Sequence, residues 1–103
     1  AQFVKLPTRH PEHSWHLYQL RVPNRDALAA DLSAAEIGTS VHFIPVHRLS
    51  GFAKLLGRSE TESCPVTDRI ATELLSLPLY PSLTDAQTDM VIDAVSTTFR
   101  RLP

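Results

Sequence analysis

His42 and His47 stand close together in Gly38-Thr39-Ser40-Val41-His42-Phe43-Ile44-Pro45-Val46-His47, with an aromatic and a proline between them and a glycine ahead. Imidazole can donate or accept at either nitrogen and changes charge near neutral pH, so a pair beside an aromatic face suits the wall of a ligand site. Pro45 fixes its own φ and withholds an amide, which sets the path of the chain from one histidine to the other. On a strand His42 points opposite to Val41 and Phe43, and with those two toward the core it faces a surface or crevice. By residue type alone, a ring that hydrogen-bonds a loop carbonyl serves equally well.

Other chemistry is poorly supported. His10, His13 and His16 recur at steps of three, a spacing that shares a ligand face only on a helix, and Pro11 with the strand formers after Ser14 argues against one. They read as two solvated loop histidines and, for His16, a half-buried strand histidine. With one cysteine and no His-Glu-x-x-His pattern, no metal site is expected. Cys64 precedes a proline in a polar loop with no identifiable histidine and acid to activate it, and no Gly-x-Ser-x-Gly or glycine-rich phosphate loop occurs among three glycines. Acids such as Asp26, Asp31, Asp68 and Glu73 fall mostly on polar helix faces and read as solvating charge.

The elements that must position these residues follow from spacing. Trp15 to Val22 is rich in strand formers and ends at Pro23, with His16, Tyr18, Leu20 and Val22 on one face. The other face begins with Trp15 and Leu17, which need a cover, either a flanking loop or another domain. Asn24 suits an N-cap, and Leu28, Leu32 and Ala35 predict a helix from Arg25 to Ile37 that Gly38 stops in the left-handed conformation. Thr39 to Phe43 reads as a short strand ended by Pro45. From Ser50 to Glu62 the pattern weakens, with Phe52, Leu55 and Leu56 able to pack one helical turn. Val66, Ile70 and Leu74 predict a helix from Pro65 to Leu75, and Leu77 to Leu79 a buried strand. Thr84 and Gln87 form a capping box for a last helix whose stripe is Val91, Ala94, Val95, Thr98, Phe99 and Leu102. The expected fold is α/β in the α+β sense: a two-layer sandwich of a small sheet and three helices.

A chain of 103 residues is one domain, 1–103. Ten Lys and Arg against eleven Asp and Glu leave no basic footprint for nucleic acid, and Arg100-Arg101 complements a helix C-terminus. A lone cysteine gives no sign of an oxidising compartment, and no apolar run nears the roughly 20 residues of a membrane span, so the cytoplasm is the expected location. Ala1-Gln2-Phe3-Val4 enters directly on a strand-like run without an initiator Met, which reads as a piece of something longer.

Trp15-His16-Leu17-Tyr18, Arg25-Asp26-Ala27-Leu28, the segment Gly38 to His47, and Leu77-Pro78-Leu79-Tyr80-Pro81-Ser82-Leu83-Thr84 together resemble the C-terminal small domain of the DegT/DnrJ/StrS family of pyridoxal-phosphate-dependent nucleotide-sugar aminotransferases. The resemblance implies a mostly antiparallel sheet, the small domain of a type I aminotransferase fold. It assigns Val41-His42-Phe43 and Pro45-Val46-His47 to the wall of the cofactor and sugar pocket, with His42, Phe43 and His47 as substrate-binding residues. Phe43 stands where a tyrosine is commoner, so a hydroxyl is missing there. It further implies a large N-terminal domain carrying the Schiff-base lysine, a homodimer, an amino acid donor such as glutamate, and a keto nucleotide-sugar acceptor. Neither Lys5 nor Lys54 lies in a matching context, so no catalytic residue or cofactor is expected within these residues alone. The alternative is a non-catalytic interaction module of the same fold.

Overall fold

Tyr18 to Arg21 alternates between faces and is halted by Pro23, which cannot donate to a ladder; it forms strand β1 (Tyr18–Arg21) in the computed structural model, which describes residues 4–57 and 64–101. Its partner is β2 (Leu74–Leu77), paired antiparallel with Tyr18 opposite Leu77, Gln19 opposite Ser76, Leu20 opposite Leu75 and Arg21 opposite Leu74. Single antiparallel bridges extend both edges, Lys5 to Arg21 on one side and Ser40 to Ser76 on the other. The layer is therefore small and antiparallel throughout its described extent.

One face of this sheet is covered by helices. Leu20 and Leu75 meet Leu28 and Leu32 of α1 (Arg25–Ala34), and all four are buried with Val22 and Ile37. Val91, Ala94, Val95 and Phe99 of α4 (Asp85–Arg101) pack against the same cluster, the expected stripe; Leu102 lies outside the described residues. Between α1 and β2 the chain adds a 3-10 turn (Val46–Arg48), α2 (Ser50–Leu55) and α3 (Pro65–Glu73). The expected two-layer α+β sandwich is thus present, with a short fourth helix where the pattern weakened.

The capping box at α4 forms as read: the Gln87 amide donates to Thr84 Oγ1 at 3.2 Å and the Thr84 amide donates to Gln87 Oε1 at 2.9 Å. Several boundaries differ from expectation, each for a physical reason. The strand at Trp15 starts only at Tyr18, because Trp15 takes a positive φ of 50° and the chain bends at His16, which is exposed rather than half-buried. Trp15 is covered by its own loop, stacked on His13 at 4.0 Å and on Tyr18 at 5.6 Å between ring centroids. Asn24 precedes α1 without a side-chain cap. That helix stops at Ala34 rather than Ile37, and Glu36, not Gly38, adopts the left-handed turn, with φ 62°. The Glu36 amide donates to the Ser33 carbonyl and the Ile37 amide to the Leu32 carbonyl, a Schellman closure in which buried Ile37 meets buried Leu32.

The third helix ends at Glu73 and the strand after it begins at Leu74, three residues before the expected Leu77. Pairing with β1 captures Leu74 and Leu75 from the helix, and Pro78 then ends the strand. Arg21 fixes the junction: its Nε and Nη2 donate to Glu73 Oε2 at 2.9 and 2.6 Å, and the Val22 amide donates to the Glu73 carbonyl at 2.9 Å. Thr39 to Phe43 is not a strand but a single bridge at Ser40. The reason lies at the site.

Candidate functional site: a histidine segment across the open sheet face

Alternation sends Leu20 and Leu75 toward the helices and leaves Gln19 and Ser76, opposite each other in register, on the reverse face. Both hold His42. Gln19 Nε2 donates to the His42 carbonyl at 2.8 Å, and His42 Nδ1 lies 2.9 Å from Ser76 Oγ. Ser76 is 4% exposed and also exchanges both backbone hydrogen bonds with Ser40. A side chain therefore takes the carbonyl that a longer strand would have offered to a neighbour, and the chain leaves the sheet after one bridge.

This inverts the expected direction. Val41 and Phe43 do not face the core; they are 46% and 70% exposed, and His42 is the half-buried residue of the three. Its Nδ1 edge is occupied by Ser76, so the Nε2 edge is the one left for a ligand, and among the described residues it has no partner. The Phe43 and His42 rings form a T-shaped pair, 4.8 Å between centroids and 65° between planes, and Phe43 is largely exposed.

His47 is anchored elsewhere. Pro45 leads into the 3-10 turn, closed by the Arg48 amide on the Pro45 carbonyl at 2.9 Å, and two of its three side chains, His47 and Arg48, reach the first turn of α3. His47 Nε2 lies 2.8 Å from Asp68 Oδ1, while Arg48 donates from Nε to Oδ1 at 3.0 Å and from Nη2 to Oδ2 at 2.8 Å. The Arg48 guanidinium, and after it the His47 ring, hold the Asp68 carboxyl at about 2, below the usual 3.8, against partial burial that pushes the other way. Asp68 also raises Arg48 in return. Asp68 and Ser76 anchor this segment, and sequence reading missed both. By sequence Asp68 reads as a solvating acid, and Ser76 is identifiable only once the register is known.

The structure thus brings His42 and Phe43 into contact and ties His47 into the same segment through a second anchor. It does not bring the Leu77 to Thr84 motif there: Pro78, Tyr80 and Leu83 line a separate cleft of about 390 Å³ with Ile37 and Met90. His10 and His13 are exposed and accept from the amides of Glu12 and Trp15. Cys64 is exposed. Among the described residues no three of His, Cys, Asp and Glu gather as a metal site, and no helix is long and apolar enough to cross a membrane. Lys5 is exposed at the sheet edge and Lys54 is exposed on α2.

The sequence profile of the DegT/DnrJ/EryC1/StrS aminotransferase family matches residues 1–96. The dTDP-3-amino-3,4,6-trideoxy-alpha-D-glucose transaminase of Micromonospora megalomicea subsp. nigra is 42% identical over 86 residues, covering 82% of this chain and 22% of that enzyme. DesV of S. venezuelae, solved in complex with a ketimine intermediate, superposes with a TM-score of 0.86 at 34% identity over 97% of this chain and 27% of DesV. The PLP form of Spr1654 from Streptococcus pneumoniae gives a TM-score of 0.79 at 26% identity, over 95% of this chain and 26% of that protein. The chain spans about a quarter of the length of these relatives. The shared fold and a profile match running from the first strand into the last helix lead to one conclusion: the chain belongs to the DegT/DnrJ/EryC1/StrS aminotransferase family.

Proposed function

We propose that these residues are the C-terminal small domain of a pyridoxal-phosphate-dependent aminotransferase that moves an amino group from glutamate to a keto nucleotide-sugar, and that they close one side of the sugar pocket. The observation that carries this reading is the segment from Ser40 to Arg48. It is pinned by hydrogen bonds at both ends yet presents Phe43, Ile44 and Val46 to solvent, 56% to 70% exposed. Rigid backbone with open apolar and imidazole groups suits a wall, which must hold its shape before the ligand arrives. His42 would offer its Nε2 edge to a sugar hydroxyl or keto oxygen, His47 its remaining nitrogen, and Phe43 its face to the apolar side of a pyranose ring. These side chains bind and orient and displace water; none is placed to form a covalent bond.

The cofactor belongs, in this reading, to a large N-terminal domain, since neither Lys5 nor Lys54 is suitably set. The same domain, in a homodimer, is the natural cover for the exposed Phe43, Ile44, Val46, Leu49, Phe52 and Leu55. The direct experiment incubates the full-length protein with glutamate, pyridoxal phosphate and a set of dTDP- and UDP-linked keto-sugars. Mass spectrometry should find one amino-sugar product formed with stoichiometric 2-oxoglutarate. No amination of any keto-sugar by a soluble, folded, cofactor-loaded protein would reject the reading, and a stand-alone interaction module would take its place.

A further inference from the structure

His42 is fixed by the sheet, but nothing in the sheet fixes His47. Beyond the His42 carbonyl, the chain passes Phe43 and Ile44 in solvent and turns at Pro45, and its next tie to the rest of the fold is the carboxylate of Asp68. That carboxylate sits at the start of α3, where the Asp68 amide donates to the Cys64 carbonyl at 2.8 Å, so the helix rather than a loop sets its position. Both of its oxygens are engaged. Oδ1 receives His47 Nε2 and Arg48 Nε, and Oδ2 receives Arg48 Nη2, the fork geometry that fixes a guanidinium plane. An aspartate needed only as a favourable charge in a first helical turn would require neither contact.

We propose that Asp68 is a positioning residue for the keto-sugar: it holds the 3-10 turn against α3 and sets the His47 tautomer, so that His47 presents Nδ1 as an acceptor to a sugar hydroxyl. In neutral imidazole, donation of Nε2–H to a carboxylate leaves Nδ1 with its lone pair, and among the described residues Nδ1 has no other partner. Arg48 locks the same carboxylate in place and keeps it ionised. This inference rests on the reading of the segment as a sugar-pocket wall. It goes further by naming the group that aims His47 and the kind of group, a sugar hydroxyl, that His47 accepts from.

The test is a double-mutant cycle in the full-length enzyme, Asp68→Asn, His47→Ala and both together, with KM for the keto-sugar and for glutamate measured separately. Asp68→Asn should raise the keto-sugar KM at least about fivefold with kcat within about twofold, and should add less than about twofold when His47 is already alanine. The glutamate KM should not move. Effects that multiply independently, or a normal keto-sugar KM in Asp68→Asn, overturn the role of Asp68 while leaving the wall intact, provided that His47→Ala is itself impaired. A silent His47→Ala overturns the placement of His47 in the wall as well. Should Asp68→Asn fold poorly, the wild-type enzyme labelled with ¹⁵N-histidine decides: His47 must show a protonated Nε2 and a bare Nδ1, and the opposite tautomer refutes the proposal.

Discussion

Ser76 keeps its hydroxyl out of water on the reverse face of the sheet, and the ring of His42 is what satisfies it. Asp68 plays the matching part for His47 and Arg48. Its acidity gives a pH window with a definite sign. Because the folded carboxyl titrates near 2 rather than 3.8, its interactions stabilise the fold fully above the ordinary value and are lost as pH falls toward 2. The carboxyl resonance of Asp68 in an NMR titration should therefore stay ionised through pH 3.8, with the clamp opening only near 2; an ordinary midpoint would mean that the clamp is absent in solution. Residue type and the intervening proline single out His42, Phe43 and His47, while their substrate-binding role is implied by the family resemblance. Their anchors are not legible in this way. Ser76 and Asp68 are brought in by pairing and packing across the fold, and the direction of His42 came out reversed because Gln19 and Ser76 together outweigh strand alternation.

Elements whose signals are contained within a few residues were readable, and those set by distant partners were not. Thr84 and Gln87 define the start of α4 by their own hydrogen bonds, and its apolar stripe packs as its spacing requires. The boundary between α3 and β2 depends on Arg21 and Leu20, which lie far back in the chain, so helical periodicity alone ran on to Leu75. At the end of α1 a glycine stood nearby, but the Schellman closure places Ile37 on Leu32, which puts Glu36 in the left-handed position. A glutamate there bears a Cβ penalty that glycine escapes, partly offset by the larger entropy that glycine loses on folding. Glu36→Gly should raise stability by about 0.5–1 kcal/mol in denaturant unfolding. A loss of that size would show that the turn is not left-handed.

At the scale of the whole molecule, the fold buries one apolar cluster and leaves a second apolar surface uncovered. Leu20, Leu28, Leu32 and Leu75 close the core between sheet and helices, whereas Phe43, Ile44, Val46, Phe52 and Leu55 are 45% to 79% exposed along one continuous stretch. Expressed alone, the 103-residue chain should associate with itself through this surface, and Phe43→Ser with Leu55→Ser should return it to monomer in sedimentation; a wild-type monomer at high concentration would speak against an interface there. The same surface, applied to a large domain, would bring His42 to the sugar. Steady-state kinetics of His42→Ala in the full-length enzyme, well below its melting temperature, test that claim most directly. Removing the ring strands the Ser76 hydroxyl, so a stability loss of about 1–3 kcal/mol is expected and does not discriminate. What discriminates is kcat/KM for the keto-sugar, which should fall at least about tenfold, a barrier change near 1.4 kcal/mol, in protein that is still folded. A folded variant with unaltered kcat/KM would show that His42 braces the sheet and takes no part in the pocket.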